Sequence, residues 1–230
     1  MSRLGDFSVK FNKKHIFAGI CALGASSVLL TGCAEQDPVE SLHDSLEKVV
    51  QLEKPFQKEQ KTLEKLEKDE NKLYDSVIQL NMDDYKKIVS LSNQALNNAS
   101  KREEHLKTEK SSIDDSKKEF KTAKESAKDI KDEKIKEKAE NAASYMEKRY
   151  SSYSSMYKEY EKAIKLDKEL YKLMKKKDLT LDDLDQQIDK VNTSYDKVLK
   201  QSEEFNKQTE KYNQAREELY NTAGFDVKKS

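Results

Sequence analysis

The sequence predicts an all-α protein, an elongated up-and-down helical bundle or antiparallel coiled coil of three to four long helices. Three observations carry that expectation. Beyond residue 32 the chain keeps a single glycine, Gly224, and its prolines are limited to Pro38 and Pro55, whereas sheets and tight turns need both residue types. Charged residues make up 38% of the chain, a level that suits disorder as well as helix. Apolar residues nevertheless recur every seven positions over most of the length. A helix with a narrow buried seam keeps such a phase, and a disordered chain does not.

Residues 1–32 differ in composition from the rest. Lys10, Lys13 and Lys14 precede an apolar run from Ile16 to Leu30, which ends in Leu30-Thr31-Gly32-Cys33. A basic start, a short apolar stretch and small residues before a cut describe a secretory signal peptide. The run is shorter than the roughly 20 apolar residues of a spanning helix. Leu-Thr-Gly-Cys resembles the lipobox of bacterial lipoproteins, in which the Cys receives a diacylglyceryl group and becomes the first mature residue. The expectation is therefore a signal peptide over 1–32, a lipid on Cys33, and a domain anchored to the outer, extracytoplasmic face of the cell membrane. Residues 33–40, with Pro38, read as a tether, 41–224 as the bundle, and 225–230 as a tail.

The first helical segment has one row at Leu42, Val49, Phe56, Leu63, Glu70 and Val77, and a companion row at Leu52, Glu59, Leu66, Leu73 and Leu80. Pro55 lies inside the pattern, and because the seam keeps its frame across it, a kink is expected. Asn81-Met82-Asp83-Asp84 then interrupts the seam with cap-forming residues. The next frame reads Ala99, Leu106, Ile113, Phe120 and Ala127. Its weaker partner row is Ala95, Arg102, Glu109, Ser116, Ala123 and Ile130, whose polar and small members make this the least securely packed helix.

Met146, Tyr153, Tyr160 and Met174, with Tyr150, Tyr157, Ile164 and Tyr171, run two residues out of phase with the preceding frame. A continuous coiled coil absorbs insertions of three or four residues, not two, so a turn is expected near Lys128 to Lys134. The competing reading is one helix over 84–176. Lys175-Lys176-Lys177-Asp178-Leu179 is a break, and Thr180 with Asp183 reads as a capping box. The last seam is Leu184, Val191, Val198, Phe205, Tyr212 and Leu219, with Leu181, Ile188 and Tyr195 alongside, and Gly224 sits where a left-handed cap ends a helix.

The chain carries 44 basic and 44 acidic residues, a balance that argues against a nucleic-acid partner. Cys33 is the only cysteine beyond Cys21 of the signal, so no disulfide forms within the mature chain. His43 and His105 lie off the main seams in charged surroundings and are expected on the surface. Asp114-Asp115 and Asp182-Asp183-Asp185 lack the glycine and terminal glutamate of a calcium loop, and the latter group suits the first turn of a helix. No catalytic trio, cofactor motif or metal motif stands out, so no cofactor is expected. Tyr145, Tyr150, Tyr153, Met156, Tyr157 and Tyr160 form a candidate binding surface, since tyrosine combines an apolar body with a polar tip. Four of these tyrosines fall on a seam, where core packing competes; Tyr145 and Met156 lie off it and are the expected exposed members. Lys175 to Lys177 could touch anionic wall polymers or lipid head groups.

Ser26-Ser27-Val28-Leu29-Leu30-Thr31-Gly32-Cys33, the helix–Pro55–helix opening and the heptad layout together resemble the cell-wall-binding lipoprotein family of Gram-positive bacteria, the YkyA group. The resemblance implies an all-helical extracytoplasmic domain with a proposed role at the wall, and it supplies no functional residue apart from Cys33. The expected function is non-enzymatic: a protein held to the membrane through Cys33 that binds cell-wall polymer or an envelope protein. The alternative is a helical adaptor or regulator docking on a membrane complex. Heptads pair within a chain or between chains, so the oligomeric state stays open.

Overall fold

The computed structural model describes residues 37–225. The expected signal peptide, the Leu30-Thr31-Gly32-Cys33 motif with its lipid-bearing Cys33, and the tail beyond Phe225 lie outside them. Among the described residues all regular structure is helical: α1 (Pro38–Leu52), α2 (Lys54–Ile78), a 3-10 turn (Met82–Asp84), α3 (Tyr85–Lys128), α4 (Glu133–Leu173) and α5 (Leu181–Ala223).

Local chemistry sets each boundary. The Asp37 carboxylate accepts from the Val39 N–H at 2.9 Å with Pro38 at the first helical position, a favoured start because proline has no N–H to leave unpaired. The helix therefore begins at Pro38, ahead of the expected 41, and the end of the expected tether belongs to it. Asn81 caps the 3-10 turn by accepting from the Asp83 N–H at 2.8 Å. Asp132 caps α4, accepting from the N–H groups of Lys134 at 2.9 Å and Ile135 at 3.2 Å. That cap settles the stretch 84–176 as two helices with a turn between them. Thr180 caps α5, the first half of the expected box: its hydroxyl accepts from the Asp183 N–H at 3.2 Å, and it donates to the Asp183 carboxylate at 2.6 Å in place of the box's second backbone bond.

At the far end of α5, Gly224 adopts φ +80°. The Gly224 N–H reaches the Asn221 carbonyl at 3.4 Å and the Phe225 N–H reaches that of Tyr220 at 3.0 Å, the paired bonds of a Schellman cap. Its usual apolar contact is present too, with the Tyr220 and Phe225 rings 5.8 Å apart.

The expected kink is a one-residue interruption at Glu53. Pro55 lacks an N–H and crowds the carbonyl four residues back. Ser112 of α3 fills the gap: its hydroxyl donates to the Leu52 carbonyl at 2.5 Å and accepts from the Phe56 N–H at 3.2 Å. A side chain inserted into the helical ladder is a sufficient cause of a bend.

The described residues form two compact units. Unit 1 comprises Glu59–Lys107 and Ser155–Ser202; unit 2 comprises 37–58, Thr108–Ser154 and 203–225. Within each, neighbouring helices run antiparallel. In unit 1, Asn98 of α3 donates to the Leu66 carbonyl of α2 at 3.0 Å, while His105 further along α3 meets Glu59 nearer the start of α2. In unit 2, Lys138 of α4 pairs with Glu218 of α5, and Tyr145 further along α4 meets Lys211 earlier on α5.

The buried rows follow the expected frames on α3 to α5, apart from the partly buried Tyr157 and Leu181, and depart from them on α1 and α2. Leu42, Val49, Phe56, Leu63, Glu70 and Val77 are buried, but the companion positions Leu52, Glu59, Leu66 and Leu73 are only partly so. The buried companion is instead Leu46, Glu53, Gln60, Glu67 and Tyr74. Both α3 rows are buried, including Arg102, Glu109 and Ser116. The expected weakness of α3 is thus corrected, because its polar positions are where the core makes its ionic contacts.

Candidate functional site

Each unit holds a closed polar cluster in its core. In unit 1 the Arg102 guanidinium, fully buried, donates to the Tyr195 hydroxyl at 2.6 Å and to Asp167 at 2.5 Å, and pairs with Glu70. Tyr195 donates to Asp167 at 2.5 Å, Tyr171 to Glu70 at 3.2 Å, and Tyr160 to Glu67 at 2.5 Å. Burial pushes the phenols of Tyr160, Tyr171 and Tyr195 well above their ordinary range, so they remain donors. Burial also opposes the charge on Arg102, but Glu70 and its neighbours outweigh it and hold the guanidinium protonated.

In unit 2, Arg149 donates to both oxygens of Glu53 and, through Nε, to Thr209 at 2.9 Å. The Ser116 hydroxyl donates to Glu53 at 2.8 Å and lies 3.0 Å from that of Tyr150. The guanidinium also sits 4.7 Å from the Phe205 ring centroid. Each cluster draws on the whole bundle of its unit. Glu70, Arg102, Asp167 and Tyr195 come from α2, α3, α4 and α5; Glu53, Ser116, Arg149 and Thr209 come from the α1–α2 break, α3, α4 and α5. Such clusters fix helix register. They are closed to solvent and direct most of their hydrogen-bonding groups at one another, with Arg102 Nε left without a hydrogen-bond partner, an arrangement suited to holding helices together.

The histidines separate. His43 is buried, contrary to the surface position expected for it, because its ring stacks on Phe225 at 4.3 Å and lies 5.0 Å from Tyr220. His105 is half-exposed, with Nδ1 2.5 Å from Glu59. Among the described residues no three metal-ligating side chains converge, and no helix is long and apolar enough to cross a membrane. Asp114 and Asp115 make surface pairs with Lys110 and Lys118, and Asp182 and Asp183 occupy the first turn of α5. Lys175 bonds Asn93 at 3.0 Å, its carbonyl accepts from the Tyr85 hydroxyl at 2.7 Å, and the Lys177 ammonium lies 5.4 Å from the Tyr85 ring. That lysine run is a loop stitched to the start of α3.

The tyrosine-rich stretch divides. Tyr150, Tyr153, Met156 and Tyr160 are buried at 2% exposure or less and form no surface. The three tyrosines lie on the α4 seam, and their hydroxyls are held by core partners: Ser116, Glu109 and Glu67. The expected exposure of Met156 is corrected as well. Helical rotation from Tyr153 and Tyr160 brings it onto the buried face. Tyr157 is half-buried and donates to Glu161 one turn on at 2.9 Å.

Tyr145 remains partly exposed, and its surroundings are unlike those of the others. The Lys148 ammonium lies 5.2 Å from its ring centroid and the Lys211 ammonium 5.6 Å. Neither lysine meets a carboxylate among the described residues, and Glu147, the acid next to Lys148, is taken by Lys124. An aromatic ring attended by two cations can present positive charge and hydrogen-bonding groups to an anionic ligand while keeping an apolar body beneath. Sequence pattern pointed to Tyr145 but not to its lysines, which come together only through the α4–α5 register. Nor did it bring out the ionic clusters. Their signal is the scarcity of arginine: Arg3, Arg102, Arg149 and Arg216 stand among 44 basic residues, and all three described ones are buried.

Comparison with known proteins agrees with this architecture. The YkyA family, described as "Putative cell-wall binding lipoprotein", matches residues 37–222. The uncharacterized lipoprotein YkyA of Bacillus subtilis (strain 168) is 65% identical over 211 residues, covering 92% of this chain and 95% of its own. A 1.6 Å crystal structure of a conserved protein of unknown function from Staphylococcus aureus is similar at TM-score 0.61 and 18% identity, over 79% of this chain and 91% of that one. At that identity the likeness concerns the fold alone. Since the family match runs from the Asp37 cap to the last turn of α5, and the Bacillus relative shares most of the sequence, the chain belongs to the YkyA family of lipoproteins.

Proposed function

We propose that the protein is a membrane-anchored extracytoplasmic lipoprotein whose helical domain binds cell-wall polymer without performing chemistry on it. The observation that carries this reading is Tyr145, partly exposed and flanked by the ammonium groups of Lys148 and Lys211. The family description and the lipoprotein relative support the location, and the Leu30-Thr31-Gly32-Cys33 motif supplies the anchor. Two acyl chains on Cys33 give the stable membrane attachment that one chain does not.

A helical adaptor would need an apolar stripe to lay against its partner. Among the described residues the one large apolar side chain counted as exposed is Met82, at 43%. That favours a polar, charged ligand over helix-to-helix docking.

The test is co-sedimentation of the mature chain, kept soluble by Cys33→Ser, with purified protein-free cell wall across a salt series. Saturable binding that persists at physiological salt and weakens with Tyr145→Ala is expected. No binding at any salt would turn the search to an envelope protein.

A further inference from the structure

Resting on the wall-binding reading, we infer that the group seated at Tyr145 is a phosphodiester of an anionic wall polymer. Tyr145 and Lys148 are one turn apart on α4, and Lys211 comes across from α5 in the register that pairs Lys138 with Glu218 at 2.8 Å two turns away. Two like charges gathered at one ring repel each other, and an anion between them relieves that repulsion.

Compensation is absent here and common elsewhere on the same surface. Lys48 pairs with Glu119 at 2.7 Å, Lys168 with Glu103 at 2.6 Å, and Lys124 with Glu147. Lys148 and Lys211 have the aromatic ring instead. Glu210 adjoins Lys211 in sequence but projects from a different face of the helix, as consecutive helical residues do. The site carries net positive charge in a chain whose formal charges sum to zero.

The kind of cation narrows the ligand. Arg102, Arg149 and Arg216 are all buried, so among the described residues every exposed basic side chain is a lysine or His105. A guanidinium fork reads carboxylate and phosphate alike in a planar two-bond geometry; an ammonium binds as a point charge, which the oxygens of a phosphate on a flexible polymer accept without a fixed orientation. Asn141, one turn before Tyr145, and Gln214, near one turn after Lys211, are exposed. Their amides and the Tyr145 hydroxyl can bond the hydroxyl groups between phosphates, while the ring takes the apolar face of a sugar or polyol.

The experiment compares intact protein-free wall with the same wall stripped of phosphodiester polymers by aqueous hydrofluoric acid, using the soluble mature chain. Binding to stripped wall is expected to fall by roughly tenfold or more. Lys148→Gln with Lys211→Gln is expected to match that loss on intact wall, to leave the thermal melt unchanged, and to flatten the salt dependence by about one unit of log–log slope per lysine, as for other polyanions. Equal binding to both walls overturns the phosphodiester and leaves wall binding standing. Loss on stripped wall with a full-strength double variant overturns the assignment to this site. Binding to neither wall overturns the wall-binding reading itself.

Discussion

Arg149 and Glu53 face each other in a two-bond fork, Nη1 to Oε1 at 2.8 Å and Nη2 to Oε2 at 2.6 Å, with both side chains shut off from solvent. The geometry is the strong form of an ion pair, yet burying two charges costs nearly what their attraction returns. Arg149→Met leaves the Glu53 carboxylate buried without its partner and should destabilise by about 3–5 kcal/mol, read from urea denaturation. Adding Glu53→Leu removes the orphaned charge and should recover most of that loss. A double variant as unstable as the single would mean that Glu53 sits at the α1–α2 break for backbone reasons and not for its charge.

Ser112 is the second part of that junction. Its hydroxyl alone completes the bonding between the Leu52 carbonyl and the Phe56 N–H, with 2.5 Å on one side and 3.2 Å on the other. Ser112→Ala leaves the buried Phe56 N–H and the part-buried Leu52 carbonyl without this partner and should cost about 1–3 kcal/mol. Amide exchange should locate the effect. Faster exchange at Phe56 is expected, and unchanged exchange there would show that the bend closes without the serine.

These two sites show where sequence reading stops. The all-helical fold, the kink and the cap of α5 were legible because each rests on local rules: heptad phase, proline, and Thr180 with Asp183. The turn before α4 was legible only in part: the two-residue phase offset pointed to it, and a single helix over 84–176 stayed open. The buried companion row of α1 and α2 was not legible. Leu52, Leu66 and Leu73 look like core, and Glu53, Gln60 and Glu67 do not. A carboxylate is buried only when partners come to it from other helices, and Arg149, Tyr160 and Ser116 do so from 63 to 96 residues away in sequence. The same limit hid the lysines gathered at Tyr145. Tyr145 and Lys148 share a helix, but Lys211 is placed by the pairing of α4 with α5.

Phe205 tests the seam that was read most directly. Its ring is fully buried, 5.7 Å from that of Phe56 and 5.8 Å from that of Tyr153, beneath the Arg149 guanidinium. Phe205→Ala should cost about 3–5 kcal/mol through lost burial and the cavity left behind. Val198, one heptad earlier and also fully buried, adds to the loss in the double alanine variant. Circular dichroism melts should show a large drop in Tm, and an unchanged melt would contradict the burial of this row.

Glu103 gives a pH signature. Its carboxylate accepts from Lys107 at 2.8 Å and from Lys168 of α4 at 2.6 Å, and these hydrogen bonds, Lys107 first, hold its pKa down to about 2. A carboxyl lowered in the folded state stabilises it above the unfolded value of about 4.3, and that contribution disappears as pH falls toward 2. The group is partly exposed, so the effect on stability is small and solvent-screened. Carboxyl-carbon NMR titration should find the Glu103 midpoint well below those of exposed glutamates. Lys168→Met should move it upward, and a midpoint in the ordinary range before mutation would show that the two lysines do not hold it in solution.

The proposed anchor at Cys33 can be tested directly. The apolar run before it ends at Leu30-Thr31-Gly32, too short to span the membrane by itself, so stable attachment depends on the acyl chains that the thiol would carry. Cys33→Ser removes the proposed attachment atom. Metabolic labelling with a fatty acid should mark the unmodified protein and not the variant, and fractionation should find the variant released from the membrane. Labelling that persists in Cys33→Ser would place the lipid on another residue. An unlabelled variant that stays membrane-bound would mean that something other than a lipid on Cys33 holds the chain there.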